Sequence, residues 1–139
     1  MSAIRTFDLL AKLPDDAPRA AGFAQRTARA MTHNPHPLPG ERTATIGSAR
    51  FTFDDTTGMW CLDLLFKMRH RTGKYRNHRL VLSAGGRGVE PTARLDGRDF
   101  DVYGALHPRV NKVPTSQYPS VLAKRIVSAA ESYAVRIGK

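Results

Sequence analysis

Cysteine is nearly missing from this chain. Cys61 stands alone, so no disulfide can close within it. That fits a reducing compartment. Cys61 lies in an apolar stretch and is expected to serve as a small core residue. Long apolar runs are also missing. No stretch approaches the ~20 residues that a membrane-spanning helix needs, and no membrane partner is expected. The N-terminal MSAIRTFDLL has no basic start followed by an apolar block, which argues against a secretory signal. Early acids at Asp8, Asp15 and Asp16 fit poorly with a transit peptide. The cytoplasm, or the cytoplasm of a host cell, is the expected location.

Glutamate is scarce, with Glu41, Glu90 and Glu131 the only three. No acid of either kind occurs between Asp63 and Glu90. No nucleophile motif marks a serine or cysteine hydrolase. The Gly-rich GGRG at 85–88 lacks the Lys and hydroxyl that open a helix in a phosphate-binding loop, and reads as a flexible turn. His33 and His36 have a ligand-like spacing, with His70 and His78 as further nitrogens. Prolines flank the first pair and no second Cys exists, so neither a metal nor another cofactor is expected.

What the sequence has in excess is positive charge. Twenty-two Lys and Arg face 12 acids, giving +10 and a pI near 10.5. Such a balance favours nucleic acid, an anionic membrane surface or an acidic protein partner. The 41% hydrophobic and 24% charged contents are those of a globular protein. At 139 residues, one domain is the natural count.

Residues 1–32 read as helical. Ile4, Phe7 and Leu10 recur at helical spacing over 3–13, and Pro14 stops that segment. A second helix is expected from Asp15 to about Thr32, with its acids at the N-terminus and Pro18 in its first turn. Residues 33–41 form a Pro-rich connector. From 42 to 104 the period becomes two. Thr43 to Phe53 is one strand, with Gly47-Ser48 as a turn or bulge. Asp54 to Gly58 is a turn. Trp60, Leu62, Leu64, Phe66 and Met68 then mark the core face of the next strand. Thr72-Gly73-Lys74 turns the chain, and Tyr75 to Ser83 returns as a strand. Asp96-Gly97, between alternating runs, predicts a tight hairpin. Residues 105–118 are a loop. Residues 119–137 predict a helix with Leu122, Ile126, Ala129, Tyr133 and Ile137 as its buried stripe. The expected fold is α+β: an antiparallel sheet of five or six strands, covered on one face by N-terminal helices and one C-terminal helix.

The strongest functional signal lies in the hairpin tip. From Lys67 to Arg79 there are six Lys or Arg, two His and no acid. Lys67, Arg69, Arg71, Lys74, Arg76 and Arg79 are expected to contact phosphates, with Arg87 extending the patch. Lys67 and Arg69 share one face, while Arg76 is out of phase with Arg79, so the charge should wrap the tip. Tyr75 sits among these cations, where an aromatic ring can stack on a base. An arm lifted off the body could straddle a backbone or enter a groove. The expected function is non-enzymatic binding of nucleic acid, DNA or RNA, by this basic arm.

Two alternatives stand beside it. One is a small basic ribonuclease or toxin using His70 or His78 as acid or base. The other is a structural or inhibitory interaction protein, such as a viral assembly subunit, docking on an acidic partner. A homodimer is left open.

Overall fold

A computed structural model of the chain describes residues 3–32, 44–70, 73–85, 91–99 and 118–137, the last five without their side chains. It shows one antiparallel sheet of six strands in simple sequential order, with two helices packed on it. Along the chain these are β1 (Ile4–Asp8), α1 (Arg19–Thr32), β2 (Ala44–Asp54), β3 (Met59–Arg69), β4 (Tyr75–Gly85), β5 (Thr92–Leu95), β6 (Arg98–Asp99) and α2 (Tyr118–Ile137).

The first segment departs from expectation. It is an edge strand, not a helix, and pairs with β2 from Ile4↔Asp54 to Asp8↔Arg50. A helix of eleven residues is marginal alone, and the unpaired edge of β2 offers a full ladder instead. The supposed helical stripe is split by this pairing. Phe7 is buried, whereas Ile4 and Leu10 are more than half exposed. The Asp8 carboxylate accepts from the Leu10 backbone N–H at 3.0 Å and turns the chain out of the strand.

The second helix begins later than its acids suggest. Asp15-Asp16 forms a turn before it, and the Pro18 carbonyl accepts from the Ala21 N–H at 3.0 Å at its start. Ala21, Ala24, Thr27, Ala28 and Met31 are its buried side. The small residues let it lie close to the sheet. Gln25 ties it to the chain leaving β1, donating from Nε2 to the carbonyls of Leu9 and Ala11 at 3.0 and 2.8 Å.

The central strands follow the alternation. Leu62, Leu64, Phe66 and Met68 of β3 are buried to 2% or less, as are Leu80 and Leu82 of β4. Phe51 of β2 stacks on Trp60 with ring centroids 5.4 Å apart. The register of β2 on β3 shifts between Ile46 and Ser48, so Gly47 is a bulge. At the Asp96-Gly97 turn both residues have positive φ, 54° and 81°, as a type I′ hairpin requires.

The last helix closes the core. Leu122, Ala123, Ile126, Val127 and Ala130 are buried, and Ala129 packs at their margin. The side chains of Tyr133 and Ile137 lie outside those described. No helix among the described residues is long and apolar enough to cross a membrane.

Candidate nucleic-acid interface

The hairpin of β3 and β4 is paired from Met59↔Gly85 to Arg69↔Tyr75. Because side chains alternate, this register sorts the basic residues by face. Arg69 and Tyr75 are opposite each other on the open face, followed inward by Lys67 with Asn77 and by Leu65 with Arg79. Lys67, Arg69, Lys74, Tyr75 and Arg79 are all exposed. Arg76 is opposite Met68, on the helix-covered face, and is half-buried. Charge is thus present on both faces at this end. Arg71 and Arg87 lie outside the described residues, as do His33 and His36.

Two of these residues have local partners. The Lys67 ammonium lies over the Tyr75 ring, 5.4 Å from its centroid. Tyr75 itself is 63% exposed, so most of its ring faces solvent. Arg79 is held differently. Its Nε and Nη2 donate to the two carboxylate oxygens of Asp63 at 3.0 and 2.7 Å. This bidentate pair raises the guanidinium pKa above its ordinary value, first through the hydrogen bond and then through the charge. Asp63 was no part of the sequence expectation, because it lies just before the acid-free run. Across the sheet it brings Arg79 to near neutrality.

Asp63 belongs to a row that bounds the basic tip. The registers align Asp8, Arg50, Asp63, Val81, Arg94 and Asp99 across the open face. Charges of both signs alternate there. Toward the tip, the rows Ser48–Leu65–Arg79, Thr45–Lys67–Asn77 and Arg69–Tyr75 contain no acid.

The tip does not stand off the body as a free arm. Met68 and His70 are buried to 1% and 2%, so the inner face is covered almost to the turn. On the other side β2 runs beside β3 as far as Ala44↔Met68. Three strands, not two, reach this end of the sheet.

Underneath lies a polar chain that the sequence expectation did not assemble. His70 and His78 are both buried, and their Nε2 atoms are 2.8 Å apart. One proton between them satisfies both Nε2 atoms, donated by one and accepted by the other. His78 Nδ1–H donates to the Asp96 carboxylate, whose other oxygen accepts from the Arg79 backbone N–H at 2.9 Å. His70 Nδ1 lies 3.2 Å from Glu131 Oε2 of α2, an ion-pair distance without a hydrogen bond from that nitrogen. The chain therefore joins the last helix, the hairpin root and the β5–β6 turn. Burial pushes the His70 pKa below its ordinary value. Glu131 opposes that, His78 and Arg76 add to it, and Asp96 opposes it. Period two could have revealed the two histidines, since His70 is in phase with Met68 and His78 with Leu80. Asp96 and Glu131 come from distant segments and left no such signal.

Facing each other across one hydrogen bond, the two Nε2 atoms are turned away from solvent. Among the described residues, no group of three or more His, Cys, Asp or Glu is arranged to hold a metal ion. In comparisons with family models, curated proteins and solved structures, the chain matches none of them.

Proposed function

We propose that this protein binds nucleic acid, with the tip and open face of the β3–β4 hairpin holding phosphates. The observation that carries this reading is the end of the open face, which is free of acids among the described residues. There Lys67, Arg69 and Lys74 are exposed around an exposed Tyr75, and the nearest described acids are already engaged, Asp63 by the Arg79 guanidinium and Asp96 by His78 and the Arg79 backbone N–H. Lysines and arginines clustered this way release counterions when they meet phosphates, which favours binding at low salt. Arg79 contributes less than its charge suggests, because a phosphate must compete with Asp63 for it. The formal charge of +10 attracts any polyanion at long range. Cytoplasm, or host-cell cytoplasm, is the compartment this reading expects.

A hydrolytic role would need His70 or His78 to reach a substrate proton. Both rings are buried and engaged with each other, so the binding reading is better supported.

The test is titration of labelled oligonucleotides at several salt concentrations. Replacing Arg69 and Lys74 together by Ala should weaken binding to all sequences alike. On duplex DNA the log–log salt slope should fall by about 1.8, and on single strands by about 1.4. The melting temperature should hardly move, since exposed charges contribute little to stability. An unchanged slope would place the site elsewhere. Absence of binding by the parent at low salt would leave an acidic protein as the partner that accounts for the charge.

A further inference from the structure

The shape of the basic end says which form of nucleic acid fits it, given that it binds nucleic acid at all. A two-stranded ribbon can enter the major groove, which is about 12 Å wide. Here β2, β3 and β4 lie side by side as far as Ala44↔Met68 and Met68↔Arg76. At about 4.8 Å between strands, their backbones alone span roughly 10 Å before side chains are added. The inner face is not free either, because Phe66, Met68 and His70 are buried. Among the described residues this end of the sheet is a platform that offers its open face.

That face has features suited to separate bases. Tyr75 presents an exposed ring whose cation partner, Lys67, lies over it. Beside this pair is a depression of about 310 Å³ at the β2 bulge. Thr45, Gly47, Leu65, Lys67 and Asn77 line it together with Phe66 and His78. Leu65 is 45% exposed, an apolar surface with no charge of its own to satisfy. A ring platform and an apolar hollow, both bordered by cations, suit bases that have left the stack. In a duplex the bases are turned inward and neither feature can be reached.

We propose that the ligand of this surface is a single-stranded polynucleotide, with one base on Tyr75, a neighbour at the depression beside Gly47, and phosphates on Lys67, Arg69 and Lys74. The row containing Asp63 ends the favourable surface, so the footprint is a few nucleotides long.

The experiment uses the full chain and one labelled oligonucleotide sequence, offered as single-stranded DNA, single-stranded RNA and duplex at equal salt. At least one single strand should bind about tenfold or more tightly than the duplex. Tyr75→Ala should weaken that binding roughly 5- to 150-fold and leave duplex binding unchanged. Tyr75→Phe should restore it, because the ring stacks without its hydroxyl. Gly47→Leu tests the depression separately. Among the described residues a Cβ at Gly47 meets the Leu65 carbonyl at 3.7 Å, an ordinary contact, so the backbone there accepts a side chain, and a melting curve equal to the parent's checks that the leucine leaves the fold intact. This variant should also lose affinity for single strands alone. Duplex binding equal to or tighter than single-strand binding would overturn the proposal. So would a Tyr75→Ala variant that binds every ligand like the parent. In both cases a salt slope that still depends on Arg69 and Lys74 would preserve the broader reading. Failure of all ligands to bind at low salt would remove both.

Discussion

Two glycines with nearly the same backbone conformation should respond very differently to a single methyl group. Gly85 ends β4 with φ of 85°, and Gly97 sits in the β5–β6 turn with φ of 81°. An alanine in either place bears the cost of a left-handed conformation, about 1–2 kcal/mol. At Gly97 that is the whole cost, since no described atom lies within 4 Å of the new Cβ. At Gly85 the Cβ would stand 2.5 Å from the Gly58 carbonyl oxygen and 3.0 Å from Trp60 Cδ1. Gly58 is fixed by its own bond, its N–H donating to the Asp54 carbonyl at 2.8 Å. Trp60 is fixed by its stack on Phe51. Neither can yield freely, and overpacking of this kind adds roughly 1–3 kcal/mol. Gly85→Ala should therefore cost ~2–5 kcal/mol and Gly97→Ala ~1–2 kcal/mol. With an unfolding entropy of roughly 0.29 kcal/mol/K for a chain of this length, the midpoint drops are about 7–17 °C and about 3–7 °C. Thermal melts followed by circular dichroism, with urea titrations as a second measure, give both values. Because the φ angles match, the difference isolates the steric contact. Equal destabilisation of the two variants would refute the placement of the β2–β3 turn against the end of β4.

Asp63→Asn should free Arg79 for phosphate. Affinity for nucleic acid should rise and the salt slope steepen by about 0.7–0.9; an unchanged slope would show that Arg79 makes no phosphate contact even when freed. Ile126 is fully buried in α2. Ile126→Asp buries an unpaired charge and should cost several kcal/mol, a large share of the ~5–15 kcal/mol that holds such a domain together; a variant melting like the parent would mean that this face is not core. The His70 pKa is lowered in the folded protein. The unfolded chain then takes up a proton, from about pH 6.5 downward, that the native state refuses, so stability falls as pH drops through 6.5 and levels off below the native value. Urea midpoints should decline from about pH 7.5 to about pH 5.5, and less so in His70→Gln; a flat profile in the parent would contradict the burial of this ring.

Much of the sheet was legible because its signals are local. Alternation placed Leu62, Leu64, Phe66 and Met68 on one face. Gly47 announced a bulge, and Asp96-Gly97 a tight turn, through backbone freedom that few other residues share. The last helix followed from its own stripe at helical spacing. The basic run needed only a count of charges. Each of these properties belongs to residues within a few positions of one another.

Three features were settled only by tertiary structure. The segment from Ile4 to Asp8 is a strand because β2 has an edge to pair with, and a short stretch with mixed spacing takes the partner it finds. Arg79 is bound by Asp63 because strand register brings residues sixteen apart within 3 Å. The Glu131–His70–His78–Asp96 chain forms because a helix, a hairpin and a turn from distant parts of the sequence converge on one buried place. Local sequence sets which conformations a segment prefers. Which charges neutralise each other, and which face stays open, depends on contacts between segments whose order along the chain carries no such information.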